Sequence, residues 1–290
     1  MASRKMPWYE FAPNTYEIDE FDCASIFLLV GSRRALLIDT GIGIGDLRGL
    51  VEHLTDKPYD VVMTHGHGDH TGGAGWFDSF WLNEKDWDAY AFPEDLNRRR
   101  DYAQTIAARE HKHYGYDIEK DIRPWPKLPE RKPLVDGQVF DLGDRKVTAY
   151  ECPGHTPGEM VFIDDQTRIL FAGDACNNNL GYMSKPGDKG FVSVEQAGKA
   201  LRRIWSMRDK YDCIMNSHHD FRGLGAPLAD YVLPNAIKCC EDLVNGTANL
   251  IEIPDPMSAQ MPPVTVASVD GRSWIRFCPE GIHEPAKDPE

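Results

Sequence analysis

Four residues able to ligate a metal ion fall within six positions at His65-Gly66-His67-Gly68-Asp69-His70, directly after the apolar run Val61-Val62-Met63. That run, two of its three residues β-branched, reads as a short buried strand ending at Thr64. In extended chain the side chains alternate with period two, so His65 and His67 point the same way and can grip one cation together. Asp69 and His70 follow a bend that glycine permits and can face a second cation beside the first. The glycines also let the backbone approach an ion with no Cβ in the way. A polar loop with merely solvated histidines is the bland alternative. Four ligand-type residues at this spacing, straight after a strand, argue against it.

Further ligand-type residues recur wherever a strand pattern ends. Pro153-Gly154-His155-Thr156-Pro157-Gly158 puts a histidine on a stiffened loop after the strand 146–150. Arg168-Ile169-Leu170-Phe171-Ala172 is a strand closing on Gly173-Asp174, and Tyr211 to Met215 delivers Asn216-Ser217-His218-His219. A carboxylate can span two cations with its two oxygens, which an imidazole cannot do simply, so Asp174 suits a bridging role. Nitrogen and oxygen ligands without thiolate suit Zn²⁺, with Fe and Mn open as well. Cys176, two residues past Asp174, reads as a small buried hydrophobe rather than a ligand.

These pieces together resemble the metallo-β-lactamase-fold hydrolase superfamily, whose hallmark is the H-x-H-x-D-H loop. The resemblance covers about residues 16 to 225, with its five motif pieces in family order. It implies an α+β fold, a four-layer αββα sandwich with the site on one edge of two packed sheets. It assigns His155 as third ligand of the first metal beside His65 and His67. Asp174 then bridges, and His218 completes the second metal with Asp69 and His70. His219 stands where the family more often has Gly, so the last ligand is His218 with His219 as the alternative. Asp39-Thr40-Gly41 matches a family Asp-x-Gly beside the metal loop, and equally fits a strand-end turn with Asp39 as a helix N-cap.

The activity so implied is that of a dinuclear metal-dependent hydrolase. A hydroxide bridging two divalent cations, formed because metal lowers the pKa of water towards about 7, attacks a small ester, thioester, lactone or amide. Asp69 is the catalytic carboxylate that holds and orients it. The glyoxalase-II type of thioesterase and the lactonase type both fit, and no motif selects a substrate. Two other readings stand beside this one: a metal-binding sensor without catalysis, and a di-iron redox enzyme. The chain lacks a flavodoxin-like stretch, which argues against the flavodiiron branch.

The elements that must carry these residues follow from periodicity. Residues 16–30 and 35–39 read as strands joined at the turn Gly31-Ser32-Arg33-Arg34, the return strand apolar throughout and so buried on both faces. Helices are expected over 46–55 and 193–209 and from the 220s to about 248, and a late hairpin over 264–277. The whole chain, 1–290, reads as one domain of this kind, ending in a C-terminal hairpin and tail over 255–290. Residues 84–132 read as a helical lid inserted between the first metal loop and the later ligands. His111, His113, Tyr114, Tyr116 and Trp125 there can line a pocket or simply pack a helix face and a Pro-Trp corner. The run Arg98-Arg99-Arg100 reads as a solvated face.

Composition narrows partners and compartment. Seven cysteines at scattered spacings, with no C-x-x-C pair, favour reduced thiols and a cytoplasmic protein. The N-terminus carries basic residues without an apolar stretch behind them, so no signal peptide is visible. The longest apolar runs are far too short to span a bilayer. A net charge of −14 argues against nucleic acid, whose phosphates call for basic surface. A small-molecule substrate is the expected partner, and a homo-oligomer stays open.

Overall fold

The computed structural model describes residues 5–87, 94–108, 115–219, 222–255 and 261–285. Seven strands come first: β1 (Trp8–Ala12), β2 (Thr15–Asp19), β3 (Ser25–Val30), β4 (Ala35–Ile38), β5 (Tyr59–Val62), β6 (Ser79–Leu82) and β7 (Glu130–Pro133). They pair in chain order as one sheet, antiparallel up to β4 and parallel from β4 to β7. Then come β8 (Val139–Asp141), β9 (Lys146–Glu151), β10 (Met160–Asp164), β11 (Ile169–Phe171), β12 (Asn179–Tyr182) and β13 (Cys213–Met215). All of these but β12 form a second sheet, in the order β13-β11-β10-β9-β8. The last strands, β14 (Leu250–Ile253), β15 (Val264–Ala267) and β16 (Trp274–Phe277), join β12 in a third sheet ordered β12-β16-β15-β14.

The helices are α1 (Leu47–Leu54), α2 (Gly68–Thr71), α3 (Glu84–Trp87), α4 (Leu96–Ala107), α5 (Ile118–Asp121), α6 (Val194–Trp205) and α7 (Val232–Val244). Strand alternation decides how they stack on the sheets. In β3, Phe27 and Leu29 turn inward while Ile26 and Leu28 face out, and in β4 Leu36 and Ile38 turn inward while Leu37 faces out. The inward set meets Met160, Phe162 and Phe171 of the second sheet, with the Phe27 and Phe171 ring centroids 4.9 Å apart. The outward set of the first sheet is covered by Leu47 and Val51 of α1 and by Ala103 and Ile106 of α4. On the second sheet, Val161 and Ile163 of β10 pack under Leu201 and Ile204 of α6 and Leu233 and Ala236 of α7. The result is the expected αββα sandwich, each fully buried Leu or Phe contributing roughly 1.5–3 kcal/mol.

Helix α6 starts where its sequence says it should. Ser193 Oγ accepts from Gln196 N at 3.1 Å while Gln196 Oε1 accepts from Ser193 N at 3.0 Å, a reciprocal cap. Strands β1, β12 and β14 exceed the sequence expectation: β1 makes a hairpin with β2, β14 pairs with β15, and β12 is made by β16, far along the chain. The late hairpin forms as β15 and β16, but as the middle of the third sheet. Within 84–132, the helices α3, α4 and α5 are followed by β7, whose residues belong to the first sheet.

The arginine run is solvated at Arg98, as expected, but is corrected at Arg99 and Arg100. Arg99 is fully buried, and its guanidinium donates to the carbonyls of Gly72 at 3.2 Å and Arg123 at 2.7 Å. Arg100 donates to the carbonyls of Glu119 at 2.8 Å and Ile122 at 3.2 Å. A planar fork of five donors satisfies several loop carbonyls at once, and that is a structural use of arginine rather than a solvated one. His111, His113 and Tyr114 lie outside the described residues.

One buried ion pair ties the two sheets of the sandwich together. Arg145, just before β9, donates Nε to Asp164 Oδ1 at 3.1 Å and Nη1 to Thr15 Oγ1 of β2 at 3.2 Å, all three side chains being buried. Removing one partner leaves an uncompensated charge in the interior, which costs about 3–5 kcal/mol. Asp164→Ala is therefore expected to lose that much stability in urea unfolding. A variant within about 1 kcal/mol of the parent protein would show that the pair does not hold the sheets.

Candidate metal centre

The parallel register of β4 with β5, and of β11 with β13, brings the ends of these strands to one edge of the sandwich. Asp39 follows β4, Thr64 and His65 follow β5, Asp174 follows β11, and Ser217 and His218 follow β13. Strand β9 runs in the same direction as β11, because both are antiparallel to β10, and it delivers the loop bearing His155 to the same edge. The crowding there has a local requirement at Gly173, with φ +53°: a Cβ would stand 2.6 Å from Thr64 Cβ.

Three imidazole nitrogens meet first. His67 Nδ1 lies 3.0 Å from His65 Nε2 and 2.9 Å from His155 Nε2. The far nitrogen of His65 faces Thr64 Oγ1 at 3.0 Å and Glu159 Oε1 at 3.5 Å, and His155 has a hydrogen bond with the Gly181 backbone. Burial, followed by the neighbouring imidazoles, holds His65 well below the usual histidine range and lowers His155. Desolvation within the cluster and the His155 ring bring His67 down to about 4. Neutral imidazoles with converging lone pairs are the form in which histidine binds metal.

A second set stands beside the first. His218 Nε2 lies 3.6 Å from Asp69 Oδ2 and 3.3 Å from Asp174 Oδ2, and His70 Nε2 lies 3.7 Å from each of those oxygens. Asp174 Oδ2 is also 3.6 Å from His155 Nε2, so one carboxylate oxygen is within reach of both sets. Against the cost of burial, the imidazoles of His218 and His70 hold Asp174 well below the usual carboxylate range. Burial works against charging His70 too, yet Asp69, Asp174 and Asp39 raise it well above its ordinary value. The pocket demands positive charge.

A divalent cation in each set fits that demand. Among the described residues, His70 Nε2 and Asp174 Oδ1 are buried polar atoms with no hydrogen-bond partner, and both belong to the cluster. A buried polar atom left without a partner carries a desolvation cost of about 1–3 kcal/mol, which ligation relieves. His67 Nδ1, with two imidazole nitrogens about equally close, cannot make a good hydrogen bond to both. The groups His65, His67 and His155, then His65, His70 and Asp174, then Asp69, His70 and His218 each place one donor atom apiece within 4.8 Å of one another. All seven residues expected from the sequence come together.

A model of the metallo-beta-lactamase superfamily matches residues 21–218. The chain belongs to that superfamily. It is similar to the acyl-coenzyme A thioesterase MBLAC2 of Homo sapiens, 31% identical over 173 residues, which are 52% of this chain and 57% of that protein. It is also similar to the atrochrysone carboxyl ACP thioesterase dmxR1 of a Cryptosporiopsis species, 33% identical over 156 residues, 52% of this chain and 37% of that one. The chain thus spans little more than half the length of the first of these relatives and less of the second. Among solved structures, a metallo-beta-lactamase family protein from Thermus thermophilus matches with a TM-score of 0.53 at 21% identity, covering 82% of each chain. The sec-alkylsulfatase Pisa1 from a Pseudomonas species matches with a TM-score of 0.58 at 15% identity, over 83% of this chain and 42% of that one. These structures share the fold.

In this superfamily member, His218 and His219 part company. His218 turns to the carboxylates of the cluster, whereas His219 Nδ1 faces Ser25 Oγ at 3.3 Å and its Nε2 faces Asp22 Oδ1 at 3.5 Å. Asp39 proves to be a neighbour of the cluster, not a helix cap: its carboxylate lies 3.0 Å from His70 Nδ1, and the N-cap of α1 is Asp46. Sequence reasoning gave no role to Asp86, Glu159, Tyr102 or Arg222. Glu159 Oε1 accepts from Asp174 N at 3.0 Å, and the Tyr102 hydroxyl donates to Asp69 Oδ2 at 2.6 Å. Arg222 pairs with Glu17 at 2.7 Å and donates to the Asn216 carbonyl at 2.6 Å, which sets the loop carrying His218. None of these forms a local pattern; each acts across a long stretch of sequence or sits inside an ordinary charged segment, except Arg222, whose partner Asn216 is near but whose anchor Glu17 is not.

Asp86 has the sharpest consequence. Its buried carboxylate accepts from Gly66 N at 3.2 Å, Thr156 Oγ1 at 2.8 Å and Gly158 N at 2.7 Å, stapling the His65–His67 loop to the His155 loop. Burial pushes its pKa up to about 6. Asp86→Ala strips three buried donors of their acceptor and frees the loops to drift apart. We expect Zn²⁺ affinity to fall roughly 10–100-fold, as is typical when groups supporting metal ligands are removed, measured by competition with a chromophoric chelator. Unchanged affinity in a folded variant would show that the staple does not set the site.

Proposed function

We propose that this chain is a metal-dependent thioester hydrolase with two divalent cations. His65, His67 and His155 would hold one, Asp69, His70 and His218 the other, and Asp174 both, with Zn²⁺ the first candidate and Fe or Mn alternatives. The reading rests most on Asp174 Oδ2, which lies within 3.3–3.7 Å of imidazoles from both sets. Once bound, the cations supply an ionised water near neutral pH and polarise the carbonyl under attack. The remaining work belongs to side chains. Asp69, pinned by the Tyr102 hydroxyl, would orient that water by accepting a hydrogen bond from it. Asp39 fixes the ring of His70 through Nδ1, leaving Nε2 for the metal.

Thioesters are favoured over amides on chemical grounds. A thiol with a pKa of about 8.5 leaves as thiolate with little help, whereas an amine needs a proton donor. The hydroxyl at this site, on Tyr102, is already engaged with Asp69, and the imidazoles face one another or the carboxylates. The similarity to thioesterases acting on acyl-coenzyme A and on acyl carriers agrees with this preference. No helix of the described residues is long and apolar enough to cross a membrane.

The test is a panel of thioesters, lactones, simple esters, amides and β-lactams given to the Zn²⁺-loaded protein, with thiol release from the thioesters read by a disulfide dye and hydrolysis of the others followed by chromatography of the products. Acyl-coenzyme A and short acyl thioesters are expected to turn over, and elemental analysis to find about two metals per chain. Silence across the panel at full metal occupancy would overturn the proposal. His67→Ala is expected to lower both activity and metal content, activity by more than the roughly 100-fold ceiling seen for supporting residues. A variant unchanged on both counts would sink the ligand assignment.

A further inference from the structure

A cavity of about 760 Å³ lies against the outer side of the His155 loop, with Pro153 and Pro157 in its wall on either side of that histidine. Its size is that of a small-molecule site. Lys85, Lys189, Lys199 and Arg203 line it with Glu84 and Glu151, and Asp136, Glu195 and Glu284 pair with two of these bases at its rim. Phe191 and Val192 add an apolar wall.

We infer that this cavity binds the nucleotide end of coenzyme A, its phosphates on the lysines and arginine and its adenine against Phe191. The inference rests on the thioesterase reading above and names which thioesters that site prefers. Pro153 and Pro157 are each two residues from His155, so the cavity wall stands within about 8 Å of that residue's backbone at 3.8 Å per residue. An extended pantetheine arm is longer than this, and can run from the cavity over the loop with its thioester at the metal cluster. The opening of the cluster lies on that side. His67 is exposed and His155 partly so, whereas His65 and His70 are fully buried.

The bases are held in place yet available. Lys85 pairs with Glu151 at 2.7 Å, Lys199 with Glu195 at 2.9 Å and Glu284 at 2.5 Å, and Arg203 with Asp136 at 2.8 Å. Exposed pairs of this kind contribute little, so a phosphate of higher charge can take the base in exchange. A concave cavity suits a nucleotide better than the convex helices of an acyl carrier protein, which makes the carrier the rival to be tested.

Two measurements decide the matter. First, coenzyme A and adenosine 3′,5′-bisphosphate are titrated calorimetrically into the parent protein and into Lys189→Glu/Lys199→Glu, with far-UV circular dichroism to check folding and Lys189→Ala/Lys199→Ala as a milder pair. Binding of both ligands to the parent is expected, weakened about tenfold or more by charge reversal and less by alanine. Second, KM and kcat are compared for an acyl-coenzyme A and the same acyl group on N-acetylcysteamine. The reversal is expected to raise KM for the former about tenfold, with kcat kept, and to leave the latter unchanged. Equal binding by parent and reversed protein, or an equal effect on both thioesters, would overturn the inference. So would hydrolysis of an acyl carrier thioester that neither coenzyme A nor adenosine 3′,5′-bisphosphate inhibits. Absence of all turnover with charge-dependent coenzyme A binding intact would instead count against the hydrolase reading and leave the cavity's assignment supported.

Discussion

One buried carboxylate ties the metal-binding edge together. Asp39, at the end of β4, accepts from Thr64 N at 2.8 Å and Thr64 Oγ1 at 2.9 Å, and faces His70 Nδ1 at 3.0 Å and Ser217 Oγ at 3.1 Å. The donors come from the ends of β5 and β13 and from α2, so a single side chain sets the spacing of three segments that carry or flank candidate ligands. To reach them the residue adopts φ +66°, a left-handed conformation that aspartate tolerates at a cost of order 1 kcal/mol. The strain is held because the surrounding strands over-determine it. The following turn is fixed as firmly: Glu20 accepts from the amides of Ile42, Gly43 and Ile44 at 2.6–2.7 Å, and a Cβ on Gly41 would collide with Glu20 Oε2 at 2.1 Å.

Around this hub the charges are sorted into two kinds. The imidazoles of His65, His67 and His155 are crowded by one another and stay neutral, while Asp69 and Asp174 sit among His70 and His218 and stay ionised. Beyond them stand Glu159 and Asp86, both pushed up by burial, whose work is to accept from the backbone amides of the ligand loops. Were a cation held in each set, as proposed, the neutral nitrogens would leave more of its charge uncompensated than the anionic set would. That asymmetry follows from which residues neighbour which, and it needs no difference in metal identity.

Much of this was legible in the sequence because the information was local. The strand before His65, the spacing of His65, His67, Asp69 and His70, the Gly/Pro frame of His155 and the strand end at Asp174 are all short-range patterns. The apolar return strand, Ala35–Ile38, announced burial on both faces, and the sandwich supplies it. What the sequence hid was non-local. β12 exists only because β16, almost a hundred residues later, lies parallel to it, and Asn-Leu-Gly-Tyr carries no strand signature of its own. The choice of His218 over His219 turns on which loop face meets Asp174 and which meets Asp22 and Ser25, a matter of tertiary position. Arg99 looked like surface because arginine in a charged helix usually is, and it is buried because its guanidinium serves the carbonyls of Ile42, Gly72 and Arg123 where α4 crosses.

That crossing also settles which side of the cluster faces solvent. Helix α4 is pinned to the metal loop by Arg99 on the Gly72 carbonyl, Trp125 Nε1 donates to the same carbonyl at 2.7 Å, and Tyr102 reaches Asp69 itself. A segment fastened at three points to the loop it covers acts as a wall. A wall over Asp69 and His70 leaves access from the other flank, where His67 and His155 reach the surface beside the Pro153–Pro157 loop. On the proposed function, substrate would meet the neutral set first, on the side with the fewest carboxylates. For an acyl substrate with an anionic tail this order matters. Such a tail would stay among the bases outside, with the anionic pair Asp69 and Asp174 beyond the reacting carbon rather than in its path.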